Sequence, residues 1–187
     1  MIGVNMQLKN SSNQYGILSK FFHWSIALLV LFQFYLGLWT VWMLPQKSPT
    51  AHFYIDGLHK PLGILVCGLA ILAILWKLIN QHPTFPNTMP LWEKIIARLT
   101  HALLYLLVLI MAFTGTIMST ANGTPPDFFG LFQFPNFIEK NMKMAETFFT
   151  LHKYTAYLLL ALIALHILAA LKHHFIDRDV VLKRMLP

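Results

Sequence analysis

Four long apolar runs divide the chain, and polar or proline-rich segments separate them. The runs extend over residues 21–44, 58–79, 95–120 and 148–171. Each run approaches or exceeds the length of about 20 residues that a helix needs to cross the hydrocarbon core of a bilayer. The pattern therefore predicts an all-α integral membrane protein. We expect a bundle of four transmembrane helices that forms a single domain over residues 1–187, with both termini on the same side of the membrane.

Composition supports this class of protein. The chain is 57% hydrophobic and only 11% charged, which is not typical of a soluble domain. The first twenty residues are polar and include Lys9 and Lys20, so we expect a retained first span and no cleaved secretory signal peptide. Cys67 is the single cysteine, and this excludes an intrachain disulfide, a zinc–thiolate cluster and an iron–sulfur site.

The distribution of basic residues predicts the orientation. Nine of the fourteen Lys and Arg residues lie on the side that holds the termini and the middle connector. The positive-inside rule places that side in the cytoplasm, so the connectors at 45–57 and 121–147 are expected in the periplasm. The basic residues that produce the net charge of +7 flank the spans and form no single polar face. Lipid headgroups are therefore the expected partner, and nucleic acid is not.

Five histidines fall inside the apolar runs or at their ends: His23, His59, His101, His152 and His166. Ionisable side chains are rare at membrane depth unless they serve a site, and a neutral imidazole nitrogen is a ligand of haem iron. His152 and His166 are 14 residues apart. In one helix this spacing is about 40° short of four turns and gives a rise of about 21 Å. The two residues are therefore predicted to share one helix face at two depths.

The expected topology sorts these histidines by depth. The periplasmic layer contains only His59 and His152, so a bis-histidine haem at that depth would use this pair. The cytoplasmic layer contains His23, His101 and His166 for two axial positions. Spacing along the sequence does not choose among these three.

Other residues near the spans have weaker interpretations. We expect His173 and His174, which follow the fourth run, to contact lipid headgroups. Lys60 and Lys153 each follow a periplasmic histidine directly, which suits pairing with haem propionates, although snorkelling to the interface explains them equally well. Arg98, near the cytoplasmic end of the third span, suits pairing with the propionates of the other haem, although a role in setting the orientation of the chain explains it equally well.

Several segments resemble the bacterial cytochrome b561 family, the small four-helix di-haem proteins of the inner membrane. The matching segments are KFFHW at 20–24, LHKPLG at 58–63, THALLYL at 100–106, LH at 151–152, ALKHHFIDRD at 170–179 and LKRMLP at 182–187. The segment from 170 to the end is the most specific of these. The resemblance covers nearly the whole chain, from about residue 15 to residue 187.

The resemblance implies two b haems and resolves the choice in the cytoplasmic layer. It pairs His23 with His166 there, and His59 with His152 in the periplasmic layer. His101 then becomes a nearby polar residue that supports a haem propionate or a quinone. The implied function is electron transfer between a periplasmic donor and the ubiquinone pool of the inner membrane. For the best-known family member the donor is superoxide, so the chain is expected to be an oxidoreductase with superoxide as one candidate substrate.

Two other classes of function are compatible with parts of the pattern. A haem-containing anchor subunit would pass electrons between a partner dehydrogenase or hydrogenase and quinone, without a substrate of its own. A non-haem transporter would use the histidines for metal ions or protons. The transporter hypothesis predicts carboxylates within the spans, and the four apolar runs contain none.

Overall fold

The computed structural model of the chain describes residues 7–45 and 48–186. The elements in chain order are α1 (Ile17–Met43), α2 (Pro49–Tyr54), a π-helical turn (Ile55–His59), α3 (Lys60–Ile79), α4 (Leu91–Ala121), β1 (Asp127–Phe128), β2 (Phe132–Gln133) and α5 (Met142–Phe175). Within the described residues, four helical segments are long and apolar enough to cross a membrane: α1, the continuous segment Pro49–Ile79, α4 and α5. The predicted four-helix membrane architecture is confirmed.

The helix boundaries follow from local capping and from proline. Ser48 accepts a hydrogen bond from the main-chain N–H of Ala51, and Pro49 occupies the first turn of α2. Asn141 caps α5 by accepting from the main-chain N–H of Met144 at 3.0 Å. The proline-rich segment that separates α3 from α4 is not helical, as predicted, because proline removes backbone donors.

The connector between the first two spans is shorter than the sequence suggested. We expected a connector at 45–57, but a helix begins at Pro49 and continues through the π-helical turn into α3. The capping at Ser48 explains this start, because it satisfies a main-chain donor that a helix would otherwise leave unpaired. The longer connector, 121–147, contains a small antiparallel hairpin in which Phe128 pairs with Phe132. The hydrophobic pattern did not predict this hairpin.

The helices pack as two pairs. In the described part of the chain, α1 packs against α3 and α4 packs against α5, with α3 and α4 in contact between the pairs. A shared apolar core joins them, formed by Val30, Val66, Ala70, Leu107, Val108 and Leu159. The backbone of α5 makes few close approaches to α1 or α3. Side chains, and not close backbone contacts, therefore bridge the space between α5 and these two helices.

The two ends of the bundle differ. One, which we call the terminal end, holds residues 7–16, the connector between α3 and α4, and the tail 177–186. The other, which we call the hairpin end, holds the π-helical turn and the β1–β2 hairpin. At the terminal end the tail folds back over the helices, because the indole N–H of Trp24 donates to the main-chain carbonyl of Met185 at 2.9 Å.

Candidate functional site

The hairpin end brings together His59 and His152. Their ring centroids lie 6.3 Å apart, with an angle of 72° between the ring planes. His59 is the last residue of the π-helical turn, where the N–H of Lys60 donates to the carbonyl of Ile55, five residues earlier. A π-helical turn changes the direction of the side chains that follow it, and such turns are frequent at functional sites. Here the turn ends at the histidine itself.

The ring of His152 packs closely against α4. Its Nδ1 lies 3.0 Å from the hydroxyl oxygen of Thr114, which donates its own hydrogen to the carbonyl of Ile110 at 2.8 Å. The hydroxyl oxygen therefore accepts from Nδ1–H, and this assignment leaves Nε2 of a neutral ring with a free lone pair. Beside it, a Cβ at Gly115 would lie 3.2 Å from Cε1 of His152. The glycine thus allows the ring to lie close to the helix backbone.

The ring of His59 has a looser environment. Its main-chain carbonyl accepts from the side-chain amide of Gln33 at 2.9 Å, which ties α1 to the π-helical turn. Its Nδ1 is buried and has no partner within hydrogen-bond geometry among the described residues. A Cβ at Gly37 would lie 3.5 Å from Cε1 of His59, an ordinary van der Waals distance.

The terminal end brings together all three histidines that the sequence placed there. The rings of His23 and His166 are 6.2 Å apart between centroids, at 60°. The rings of His101 and His166 are closer, at 5.2 Å and 76°. His101 donates from Nδ1 to the carbonyl of Ala97, one turn earlier in α4, at 2.7 Å. Trp24 packs edge-on against His23, with 5.3 Å between ring centroids.

These distances test whether the rings fit a haem iron. Imidazole nitrogens bind metal ions at about 2 Å, so two axial nitrogens on one iron are about 4 Å apart and the ring centres about 6 Å apart. The separations of 6.3 Å for His59 with His152 and 6.2 Å for His23 with His166 fit this arrangement. The 5.2 Å between His101 and His166 is too short. Both fitting pairs cross from α5 to a helix that α5 barely touches through its backbone.

Sequence comparison identifies the protein family. The match to the family described as prokaryotic cytochrome b561 extends over residues 14–187. The chain belongs to the prokaryotic cytochrome b561 family. Among relatives in Escherichia coli, cytochrome b561 homolog 2 is 36% identical over 97% of this chain and 95% of its own length. Cytochrome b561 homolog 1 is 28% identical over 94% of this chain and 98% of its own.

A relative in Yersinia pestis bears a more specific name. It is called a probable superoxide oxidase, CybB, and is 30% identical over 97% of this chain and 98% of its own length. Family membership confirms the resemblance seen in the sequence motifs. It identifies the chain as a multi-pass bacterial membrane cytochrome that contains haem b and transfers electrons across the membrane.

Lys60 contacts two neighbouring groups at the hairpin end of the bundle. Its Nζ lies 2.6 Å from a carboxylate oxygen of Asp56 and donates to the main-chain carbonyl of Thr124 at 2.9 Å. The lysine therefore links the π-helical turn to the segment that follows α4. Its pairing with a haem propionate remains a prediction.

Two other basic residues lie on the surface of this cytochrome. Lys153 is exposed, and its Nζ is 5.2 Å from the ring centroid of Tyr154. Arg98 is also exposed, with its guanidinium carbon 5.5 Å from the centre of the Phe85 ring. Roles for Lys153 and Arg98 at the haem propionates likewise remain predictions.

The expected headgroup contact of His173 is wrong. The tail after α5 turns back and places Asp179 within 2.8 Å of Nδ1 of His173 and Asp177 within 3.0 Å. Lys172 joins the same cluster, with its Nζ 2.6 Å from Glu93 on α4. His173 is consequently buried, with 9% of its surface exposed. The apolar pattern ended before the tail and gave no indication of this fold-back.

His174 is half-buried, and its contact with lipid headgroups stays a prediction. Its Nδ1 is buried without a hydrogen-bond partner among the described residues. Its ring packs edge-on against Phe175, with 4.7 Å between ring centroids.

Sequence reasoning missed Thr114 and Trp24 as neighbours of the paired histidines. Thr114 is one of few polar residues in the third apolar run, and polar residues inside spans commonly make hydrogen bonds between helices. That signal marks Thr114 as a candidate but does not name its partner. Trp24 directly follows His23, yet its contact with the tail depends on the fold-back at the terminal end.

Proposed function

We propose that the chain transfers electrons across the bacterial inner membrane through two b haems, from a periplasmic donor to ubiquinone. One haem would have His59 and His152 as its axial ligands, and the other His23 and His166. The observation that carries this proposal is that two ring pairs at opposite ends of the bundle have the same spacing, 6.3 Å and 6.2 Å. In each pair, one iron fits between the two rings.

The chain supports such haems by supplying neutral ligands in fixed positions. The hydrogen bond from Nδ1 of His152 to Thr114 leaves Nε2 for the iron. Each haem, when bound, gains and loses one electron at its iron. Two histidines would hold each haem iron, so the chain would leave the edge of the haem for donors and acceptors to exchange electrons. His152 and His166 set a rise of about 21 Å between the two levels.

The terminal end is proposed to face the cytoplasm and to reduce the quinone. His101 is the residue we assign to support a haem propionate or the quinone. Its Nδ1–H donates to the carbonyl of Ala97, so the other ring nitrogen, Nε2, remains available. The centroid of the His101 ring lies 5.2 Å from that of the His166 ring. A neutral imidazole in this position is suited to exchanging a proton with a quinone oxygen.

Superoxide is the donor we propose for the periplasmic side. The name of the Yersinia relative supports this choice. Two superoxide ions would each lose one electron and become oxygen, and the two electrons with two protons from the cytoplasm would convert ubiquinone to ubiquinol. Exposed lysines at the hairpin end, Lys140, Lys143 and Lys153, would attract an anion. Lys60 contributes less to this attraction because Asp56 neutralises it.

The experiment is a haem count followed by an assay on the same preparation. A pyridine haemochrome measurement on the purified protein should give two b haems per chain. Superoxide should then reduce these haems, and a water-soluble ubiquinone should reoxidise them. One haem or none per chain would overturn the pairing. Two haems that superoxide does not reduce would overturn the choice of donor and favour transfer from a partner protein.

A further inference from the structure

Thr114 is a buried polar residue that contacts one of the proposed haem ligands, His152. It lies on α4 with only 4% of its surface exposed. Its hydroxyl donates to the carbonyl of Ile110 at 2.8 Å and also lies 3.2 Å from the carbonyl of Met111. Because its hydrogen is taken by these carbonyls, its oxygen is free to accept from Nδ1–H of His152, 3.0 Å away.

The histidine on the opposite side of the same site has no hydroxyl acceptor of this kind. Nδ1 of His59 is buried and outside hydrogen-bond geometry with every described residue. The two rings at the hairpin end therefore differ, since Nδ1 of His152 lies at hydrogen-bond distance from a side-chain hydroxyl and Nδ1 of His59 does not. The residue that makes the difference is Thr114 on α4.

We propose that Thr114 is a positioning residue that lowers the reduction potential of the haem held by His59 and His152. This inference rests on the proposed function, because it requires a haem between those two rings. A hydrogen bond from Nδ1–H raises the basicity of the ligating imidazole, fixes its tautomer and fixes its plane. A more basic axial ligand stabilises ferric iron over ferrous iron, and hydrogen bonding around the ligand is one of the means by which proteins set haem potentials.

The test compares three variants by potentiometry followed through the haem absorption bands. Thr114→Val removes the acceptor and keeps the branched shape, whereas Thr114→Ser keeps the hydroxyl. Thr120→Val is the matched control, because Thr120 is a fully buried threonine on the same helix that also donates to the carbonyl four residues earlier. A His23→Ala background, in which only the hairpin-end haem remains, assigns the observed potential to that haem.

We expect Thr114→Val to raise the potential of the hairpin-end haem and to leave the terminal-end haem unchanged. Thr114→Ser should restore the original potential, and Thr120→Val should alter neither haem. A shift of the same size in Thr120→Val, or an unchanged potential in Thr114→Val, would overturn the inference. If Thr114→Val binds too little haem to measure, recovery of both haem and potential in Thr114→Ser supports it, and failure of recovery counts against it.

The same measurements separate this inference from the proposed function. An unsubstituted protein that holds no haem at His59 and His152 would overturn both. Two haems with the expected shifts, but no reduction by superoxide, would remove only the proposed donor. In that case the role of Thr114 would stand.

Discussion

The imidazole rings of His59 and His152 lie 6.3 Å apart, and each is placed there by a different device. A π-helical turn ends at His59, while Thr114 and Gly115 on α4 contact the ring of His152. At the other end of the bundle, His23 and His166 reach nearly the same spacing, 6.2 Å. The two ends of the bundle thus reach nearly the same distance between imidazole rings through different local structures. This indicates that the fold maintains the distance between the paired rings.

The first prediction concerns how the histidines divide between the haems. We expect His152→Ala to remove the hairpin-end haem and to spare the terminal-end haem, because its ring is the ligand that we propose α5 supplies at that depth. The haem content should fall from two per chain to one, measured by pyridine haemochrome. The remaining absorption band should keep its reduced-minus-oxidised maximum.

His101→Ala is the matched control for this change. It removes a histidine that lies 5.2 Å from His166, too close for one iron to lie between the two rings. Both haems should therefore remain. A single haem in His101→Ala would show that His101, and not His23, is the partner of His166.

The second prediction concerns the space beside the paired histidines of the hairpin end. A Cβ at Gly115 would lie 3.2 Å from Cε1 and 3.4 Å from Nδ1 of His152, so Gly115→Ala must displace the ring. Overpacking of this kind costs about 1–3 kcal/mol, which exceeds the gain of about 1 kcal/mol expected from replacing a helical glycine by alanine. We expect lower occupancy of the hairpin-end haem and a lower unfolding temperature.

Gly37→Ala provides the comparison on the opposite side of the site. Its Cβ would meet Cε1 of His59 at 3.5 Å, a normal contact, so this variant should retain both haems and unfold at the same temperature or higher. Equal haem occupancy and equal unfolding temperatures in Gly115→Ala and Gly37→Ala would contradict the close packing of His152 against α4.

The apolar pattern predicted the four spans and the shared face of His152 and His166, because both depend only on helical periodicity. It could not choose among His23, His101 and His166, since that choice depends on distances between helices. The centroid separations of 6.2 Å and 5.2 Å favour His23 as the partner of His166, and this pairing stays a prediction. The start of the second span at Pro49 was missed, although Ser48 and Pro49 form a recognisable helix start.

The sequence did not predict the fold-back of the tail, for a different reason. The tail is polar and short, and its position is fixed by long-range bonds such as the one from Trp24 to the carbonyl of Met185. Such contacts leave no periodic signal. The burial of His173 beside Asp179 followed from the same fold-back and was mispredicted for the same reason.

The third prediction concerns this attachment. Asp179 accepts from Nδ1 of His173 and from the main-chain N–H of Val181, each at 2.8 Å. We expect Asp179→Asn to weaken the attachment by about 1.5–3 kcal/mol, the range for hydrogen bonds to a charged group. Trypsin should then cleave sooner at Lys183 and Arg184, as followed by mass spectrometry of the released peptide. Glu146→Gln, at an exposed position on α5, should leave the cleavage rate unchanged, and equal rates in all three proteins would contradict the prediction.

The last prediction concerns stability at alkaline pH. Tyr15 lies just before α1, and burial raises the pKa of its phenol, while the nearby Arg184 guanidinium lowers it to a smaller extent. An unfolded chain releases this proton near pH 10, whereas the folded chain retains it to higher pH. The stability that Tyr15 contributes is therefore fully present below about pH 10 and is lost as the pH rises through the folded-state pKa.

We expect the unfolding temperature of the unsubstituted protein to fall more steeply between pH 10 and 11 than that of Tyr15→Phe, which has no proton to lose. Parallel profiles for the unsubstituted protein and Tyr15→Phe would mean that Tyr15 ionises equally in the folded and unfolded chains, and that the segment before α1 does not shield it.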